Sequence, residues 1–380
     1  MTDSPHAATA SGGRRGIRAE FKDAITVRAT LLVFGVGLLQ LGFIASYIGA
    51  FHQPTPHSLP QAVVAPAGVS AKAVSGLNAV AGTPVRATAV GTVAAGERKL
   101  LDRTAYGVLV VDPAGTTDHL VEASAGGVSA AVAMTEVMQL VERHVHRTIR
   151  VQDIRPPLPG DRNSLSSFYL VIGWIVGGYL VAAILGVSAG SRPANANRAT
   201  VRLAAIAVYA VVTGLAGTLI AGPWMHALPS HVLGLWMLGA LLVFSAGAFS
   251  MGLQVVAGTI GIGLSILIFV VIGNPSAGGA YSWPLLPTFW RLVGPWVPSG
   301  AGTSAARGIA YFESTGIGSN LLVIAAYGVA GIVLIYVVLV DIGHQLDRLP
   351  SWARSDGVEA AEAAEAADDA SDADDASPVE

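Results

Sequence analysis

Between Arg202 and Arg291 the chain contains no Asp, Glu, Lys or Arg. A soluble core of that length needs charges on its outer surface, whereas a bundle in a bilayer needs apolar surface all round. The wider composition agrees: 52% of the 380 residues are hydrophobic, only 12% are charged, and the mean hydropathy is +0.58. The expected fold is an α-helical polytopic membrane protein.

Apolar runs lie near 29–50, 168–188, 203–222, 232–251, 254–273 and 319–340. Each approaches the roughly 20 residues that a helix needs to cross a ~30 Å hydrocarbon core. About six transmembrane helices are therefore expected. Only Ser250, Met251, Gly252, Leu253 and Gln254 separate the fourth from the fifth. A turn is placed there because one helix of the combined length would overshoot the bilayer.

Arg14, Arg15, Arg18, Lys22 and Arg28 precede the first run, and Arg192, Arg198 and Arg202 fill the short segment between the second and third. The positive-inside rule puts both segments in the cytoplasm of a bacterial cell with this protein in its plasma membrane. An even number of crossings returns the C-terminus to the same side, with His344, Arg348 and Arg354 just past the last run. Arg291 and Arg307 then fall on the outer side, against the trend. Residues 1–28 read as a basic cytoplasmic N-terminal segment and 29–50 as the first transmembrane helix. A cleaved signal peptide also starts with basic residues, but this run exceeds a typical h-region and ends without an Ala-x-Ala site, so it is expected to stay as an anchor. Formal net charge is −3, yet Ser355 to Glu380 holds ten acidic residues and no basic one, leaving +7 on the remainder. That Ala/Asp/Glu stretch is expected to be the disordered, acidic part of a cytoplasmic tail spanning 342–380.

Residues 52–167 change character. Pro-rich spacers, Gln53-Pro54-Thr55-Pro56 and Arg155-Pro156-Pro157-Leu158-Pro159-Gly160-Asp161, bracket strand-like runs at 62–65, 85–90, 107–111, 119–123 and 149–154. These alternate with helical patterns near 70–80, 93–101 and 129–146. Such alternation predicts an extracytoplasmic α/β domain with a mixed sheet, inserted between the first and second transmembrane helices. The turn chemistry of Asp112-Pro113-Ala114-Gly115 predicts an antiparallel pair on either side.

No catalytic constellation emerges. Gly-x-Ser-x-Gly, His-Glu-x-x-His and phosphate-binding glycine loops are missing, and the only lysines are Lys22, Lys72 and Lys99. Cysteine is absent, so a disulfide or a thiolate metal site is excluded. Glu142, His144 and His146 sit two apart, a spacing that does not share a helix face. The expectation is a protein that is not an enzyme and carries no cofactor or metal. Ion-coupled transport normally keeps an acidic residue or a His inside the bilayer, and the third to fifth runs have none, so energy for transport would have to come from a partner.

The membrane domain, 168–341, contains two further features. Gly173, Gly177 and Gly178, and Gly258, Gly261 and Gly263, would let helices approach closely, inside the chain or across a dimer. The stretch 274–318, with Trp283, Pro284, Pro287, Trp290, Arg291, Pro295, Trp296 and Pro298, suits either re-entrant or interfacial helices or a plain aromatic belt.

In its order of parts the chain resembles the permeases of ABC-2-type exporters, and among them the YhgE/Pip (phage infection protein) group. The resemblance rests on the basic segment before one span and a large outer domain, on Leu158-Pro159-Gly160-Asp161 leading through Ser166-Ser167-Phe168-Tyr169 into the Gly173–Gly178 span, and on Gly273-Asn274-Pro275-Ser276-Ala277-Gly278-Gly279 running to Pro295-Trp296-Val297-Pro298-Ser299-Gly300, with Arg307 and Tyr311-Phe312 beyond. It implies a permease that works as a homodimer or heterodimer with a separate ATPase subunit, in contact with membrane lipid and not with nucleic acid. By the same resemblance the ATPase would dock on Arg14–Arg28 and on Arg192, Arg198 and Arg202. Trp283, Pro284, Pro287, Trp290, Pro295, Trp296 and Pro298 would form an outer gate. The loop carrying Arg192 is short and contains Pro193, which departs from a firm coupling helix. A non-transporting envelope receptor or assembly scaffold, acting through the outer domain, is the alternative.

Overall fold

The structure, a computed structural model, describes residues 27–347. The basic cluster Arg14–Lys22 and the acidic stretch from Ser355 lie outside the described residues. Five helices are long and apolar enough to cross a membrane: α1 (Val27–Phe51), α5 (Ser166–Ser188), α6 (Ala196–Trp224), α7 (Val232–Ala257) and α11 (Gly318–Asp347). Their outward faces remain apolar, with Leu31, Phe34, Val187, Val201, Leu233 and Val333 exposed. Side chains of this kind are stable facing lipid tails rather than water. This is a membrane protein with a small α/β sheet near its N-terminus.

The fifth expected crossing, 254–273, is not among the helices of spanning length, and its boundary with the fourth lies elsewhere. α7 runs through 250–254 without a turn: Gln254 Nε2 donates to the Ser250 carbonyl at 3.2 Å, while the buried Ser250 hydroxyl has no partner. The chain breaks instead at Gly258, whose φ of +62° is the left-handed value that favours glycine. The next helix, α8 (Ile260–Ser276), is shorter and passes through a π-helical stretch at Leu267–Ile272.

α7 is the axis of the bundle, with Leu235, Leu238, Leu242, Val243 and Val255 fully enclosed. Gly178 faces Val243 and Ala246, and Gly186 faces Gln254, so α5 runs parallel to α7. Gly328 and Gly331 meet Ser245 and Ala248 in the same sense for α11, whereas Gly214 against Ala240 and Gly247 against Ile206 make α6 antiparallel. α1 and α8 ascend together, Leu39 beside Gly263 and Gly42 beside Val271. The start of α1, the α5–α6 connection and the end of α11 therefore share the end of the bundle remote from the α/β region.

That region holds β1 (Leu59–Val64), α2 (Ala67–Asn78), β2 (Val85–Ala89), α3 (Val93–Leu101), β3 (Gly107–Val110), β4 (Thr117–Glu122), α4 (Val128–His144) and β5 (Thr148–Asp153). The sheet order is β2-β1-β3-β4-β5, parallel except for the antiparallel β3–β4 pair. Asp112–Gly115 makes the expected turn. Arg147 pins it: Nε and Nη2 grip Asp118 at 2.7 and 2.6 Å, and Nη1 and Nη2 donate to the carbonyls of Gly115 and Asp112. Leu59, Val63, Leu109, Leu120, Met134 and Met138 form the core between sheet and helices.

Close helix packing gives a direct test. A Cβ on Gly178 would sit 2.5 Å from the Val243 carbonyl oxygen, while Gly173, on a different face of the same helix, has nothing within 4 Å. Gly178→Leu is expected to destabilise the detergent-solubilised protein by about 1–3 kcal/mol, and Gly173→Leu to melt near the wild type. A second test follows from Glu122. Burial, with Asp153 adding to it against the Thr135 hydrogen bond, pushes its carboxyl up to about 7. The folded pKa lies above the unfolded one, so the native state holds this proton more tightly and stability falls as pH rises from ~4.5 to ~7. Hydrogen–deuterium exchange of the β4 amides, corrected for intrinsic rates, should show protection declining over that window, and Glu122→Gln should flatten the decline.

Candidate functional site

The segment between α8 and α11 is where the α/β region meets the bundle. After Ser276 the chain turns at Gly278 (φ +70°), and Gly279 lies against the ring of Phe168 at the start of α5. Ser282 N then donates to Ser129 Oγ at 3.0 Å. The carbonyls of Pro284 and Leu285 accept from His57 N and Thr55 N. Past α9 (Thr288–Val293) the chain returns beside Ser276, and α10 (Pro298–Tyr311) begins inside the bundle, with Ser299 Oγ donating to the Gly273 carbonyl at 2.7 Å. Gly302 touches Leu242, close to the midpoint of α7. Every residue of α10 except Ser304 is buried. α10 is thus enclosed by protein, starting beside the middle of α7 and rising to the α/β region. Non-spanning backbone is tolerated at that depth because protein surrounds it.

α10 carries a buried cation. Arg307 is 6% exposed, and its guanidinium donates to the carbonyls of Gly278 (2.7 Å), Gly279 (3.0 Å) and Ser164 (3.1 Å). Among the described residues no carboxylate lies within 4.0 Å of it. One turn on, the Tyr311 hydroxyl donates to Asp161 Oδ2 at 2.6 Å, while Asp161 Oδ1 accepts from Leu165 N and Ser166 N and so caps α5. Ser164, held at φ +52°, sends its hydroxyl to the Ala125 carbonyl at 2.7 Å. The Leu158–Asp161 linker is thereby fixed to α10 on one side and to the α/β region on the other.

Arg103 is the counterpart from the α/β region. It follows α3 in the left-handed conformation (φ +58°), where L side chains are uncommon. Its Nη1 donates to the Ser304 carbonyl at 2.6 Å, its Nη2 to Thr315 at 3.0 Å, and its guanidinium lies 5.8 Å from the centre of the Phe312 ring. Arg103 and Arg307 line one cavity of about 230 Å³, together with Tyr106, Trp283, Ser304 and Asn320. Burial raises the Tyr106 phenol, and the two arginines pull it back down.

Of the expected gate residues only Trp283 lines this cavity, where its Nε1 donates to the Ser276 carbonyl at 2.9 Å. Pro284 and Pro287 shape the turn into α9, Pro295 lies in the turn after it, and Pro298 opens α10. Trp290 packs edge-on against Phe289, and Trp296 points outward at 71% exposure. The seven therefore do not converge. At the remote end, Arg192 Nε caps α7 through the Val255 carbonyl at 2.9 Å, and Arg202 binds the carbonyls of Ala189 and Gly190 at the end of α5. The Arg198 amide donates to Asn195 Oδ1, the N-cap of α6, at 2.9 Å. Sequence reasoning passed over Arg103, Tyr106 and the Arg307 cavity. The available signal was Arg307 itself, the one charge between Arg291 and Glu313, on the side where the positive-inside rule disfavours it. Comparison of the chain with protein-family models, curated proteins and solved structures gives no match.

The Tyr311–Asp161 bond is open to a mild test. Tyr311→Phe removes one hydroxyl from a buried carboxylate and is expected to cost about 1–3 kcal/mol in detergent unfolding. Phe168→Tyr, at the other edge of the same linker, serves as the control for altering an aromatic there.

Proposed function

We propose that this protein is a permease-like component of an ABC-2-type export system, of the YhgE/Pip kind, that moves an amphipathic or envelope-directed compound with energy from a separate ATPase. The observation that carries the reading is α10, a short, buried, non-spanning helix that starts at the middle of the bundle and is tied at its other end to the α/β region. Interrupted helices at membrane depth are where transporters place their substrate paths. From Arg162 to Phe312 the sequence has no Asp or Glu, which leaves no carboxylate for ion coupling in that part of the bundle and favours an external energy source. In this reading the protein sits in the bacterial plasma membrane with both termini cytoplasmic, the α/β region outside, and the remote end of the bundle facing the ATPase.

A second reading, an envelope receptor or assembly scaffold, draws support from Arg192 and Arg202, whose guanidiniums are engaged with main-chain carbonyls of their own chain. One pull-down separates the two. With the tagged protein drawn from gently solubilised membranes, the permease reading expects an ATP-binding subunit that is recovered with the wild type and lost with Arg198→Glu at unchanged folding. Recovery of envelope proteins alone, abolished by deleting 60–155, would favour the scaffold.

A further inference from the structure

We infer that the cavity between Arg103 and Arg307 is a binding site for a single phosphate group, presented by a lipid headgroup or by a soluble phosphate compound. Arg307 is 6% exposed and has no carboxylate within 4.0 Å among the described residues; its Nη atoms are spent on three main-chain carbonyls. A guanidinium held this way keeps its full charge, and carbonyl dipoles compensate only part of it. Asp161, the acidic residue that acts on it from further off, is itself engaged with Tyr311 and two backbone amides.

Unused donors point the same way. The Nε atoms of both Arg103 and Arg307 are sealed from solvent and have no hydrogen-bond partner. Tyr106, close enough to feel both guanidiniums, donates to no protein acceptor in the described residues. Ser304 Oγ accepts from Arg103 Nη1 at 3.2 Å and from Asn320 Nδ2 at 3.1 Å, so its own hydrogen remains to be donated. Tyr106 and Ser304 stand with the two guanidinium groups around the same space of about 230 Å³, and these two hydroxyls, rather than the sealed Nε atoms, can reach a ligand there. Arg103 and Tyr106 come from the loop between α3 and β3, and Ser304 and Arg307 from α10, so donors approach from two sides, which suits a tetrahedral oxyanion with several acceptors better than a planar carboxylate. Asp102 is the one carboxylate at the cavity, and it is exposed, where water screens it. The site is independent of transport, since a scaffold would hold the same group.

The test uses the full chain in detergent and in nanodiscs. Inorganic phosphate and glycerol 3-phosphate should raise the thermal unfolding midpoint in detergent, saturably and more weakly at high salt, while chloride at equal ionic strength should not. In nanodiscs made of phosphatidylglycerol and phosphatidylcholine, native mass spectrometry reads the phospholipid that stays bound after release. Tyr106→Phe, which removes a single hydroxyl, and Arg103→Gln should each weaken binding by about tenfold, and Arg307→Lys by at least as much if it folds. Stabilisation by the soluble probes without retained lipid assigns the site to a soluble phosphate compound. Retained phospholipid that is lost in Tyr106→Phe and displaced by inorganic phosphate assigns it to a headgroup. No stabilisation by either probe, with equal lipid retention by wild type and variants, overturns the proposal.

Discussion

The arrangement of this protein depends on a buried guanidinium. Arg307 joins the Gly278–Gly279 turn, the Ser164 linker and α10 through three main-chain carbonyls. Each of those carbonyls belongs to irregular backbone that has no helix or sheet ladder to satisfy it, and burial away from water would otherwise leave it unpaired. An ammonium could not serve all three with one planar fork. Moving the charge out of water costs several kcal/mol, and the return is geometric: the start of α5, the Gly278–Gly279 turn and the end of α10 are held in one place. Tyr311 and Asp161 repeat the connection one turn further on.

Around that hub the helices pack by close backbone approach rather than by hydrophobic exclusion, which has little force between helices in lipid. α7 meets α5 through Gly178, α6 through Gly214 and α11 through Gly331, and at each the neighbouring backbone occupies the space a side chain would need. The same economy of side chains opens room for α10 to enter from the α/β end, where Gly302 touches Val171 and Leu242. The α/β region is then a rigid cap: Arg103, Ser129 and the Ala125 carbonyl all bind elements between α8 and α11 or the linker beside them.

Much of this was legible in the sequence, for identifiable reasons. The charge-free stretch, the apolar runs and the alternation within 52–167 are local patterns, and each maps onto an element whose period or length they specify. The turn at Asp112–Gly115 was readable because its residues carry their own turn chemistry. The division of the fourth and fifth runs was placed at 250–254, on polarity, but α7 continues through Ser250 and Gln254, and the break fell at Gly258, on backbone conformation. The basic residues Arg192 and Arg202 were read by charge alone, while in the fold their guanidiniums cap helix ends.

The sequence by itself determined the solvent of this protein, the α/β character of its insert and the irregularity of the stretch before the last helix, because those follow from composition and short-range periodicity. Tertiary structure alone decided that α10 turns back into the bundle, that Arg103 and Arg307 share a cavity though they lie far apart in the chain, and that Trp283, Trp290 and Trp296 do not converge on one point. Such outcomes depend on which distant carbonyls need a donor and where glycine lets helices close, and neither is written in any local window of residues.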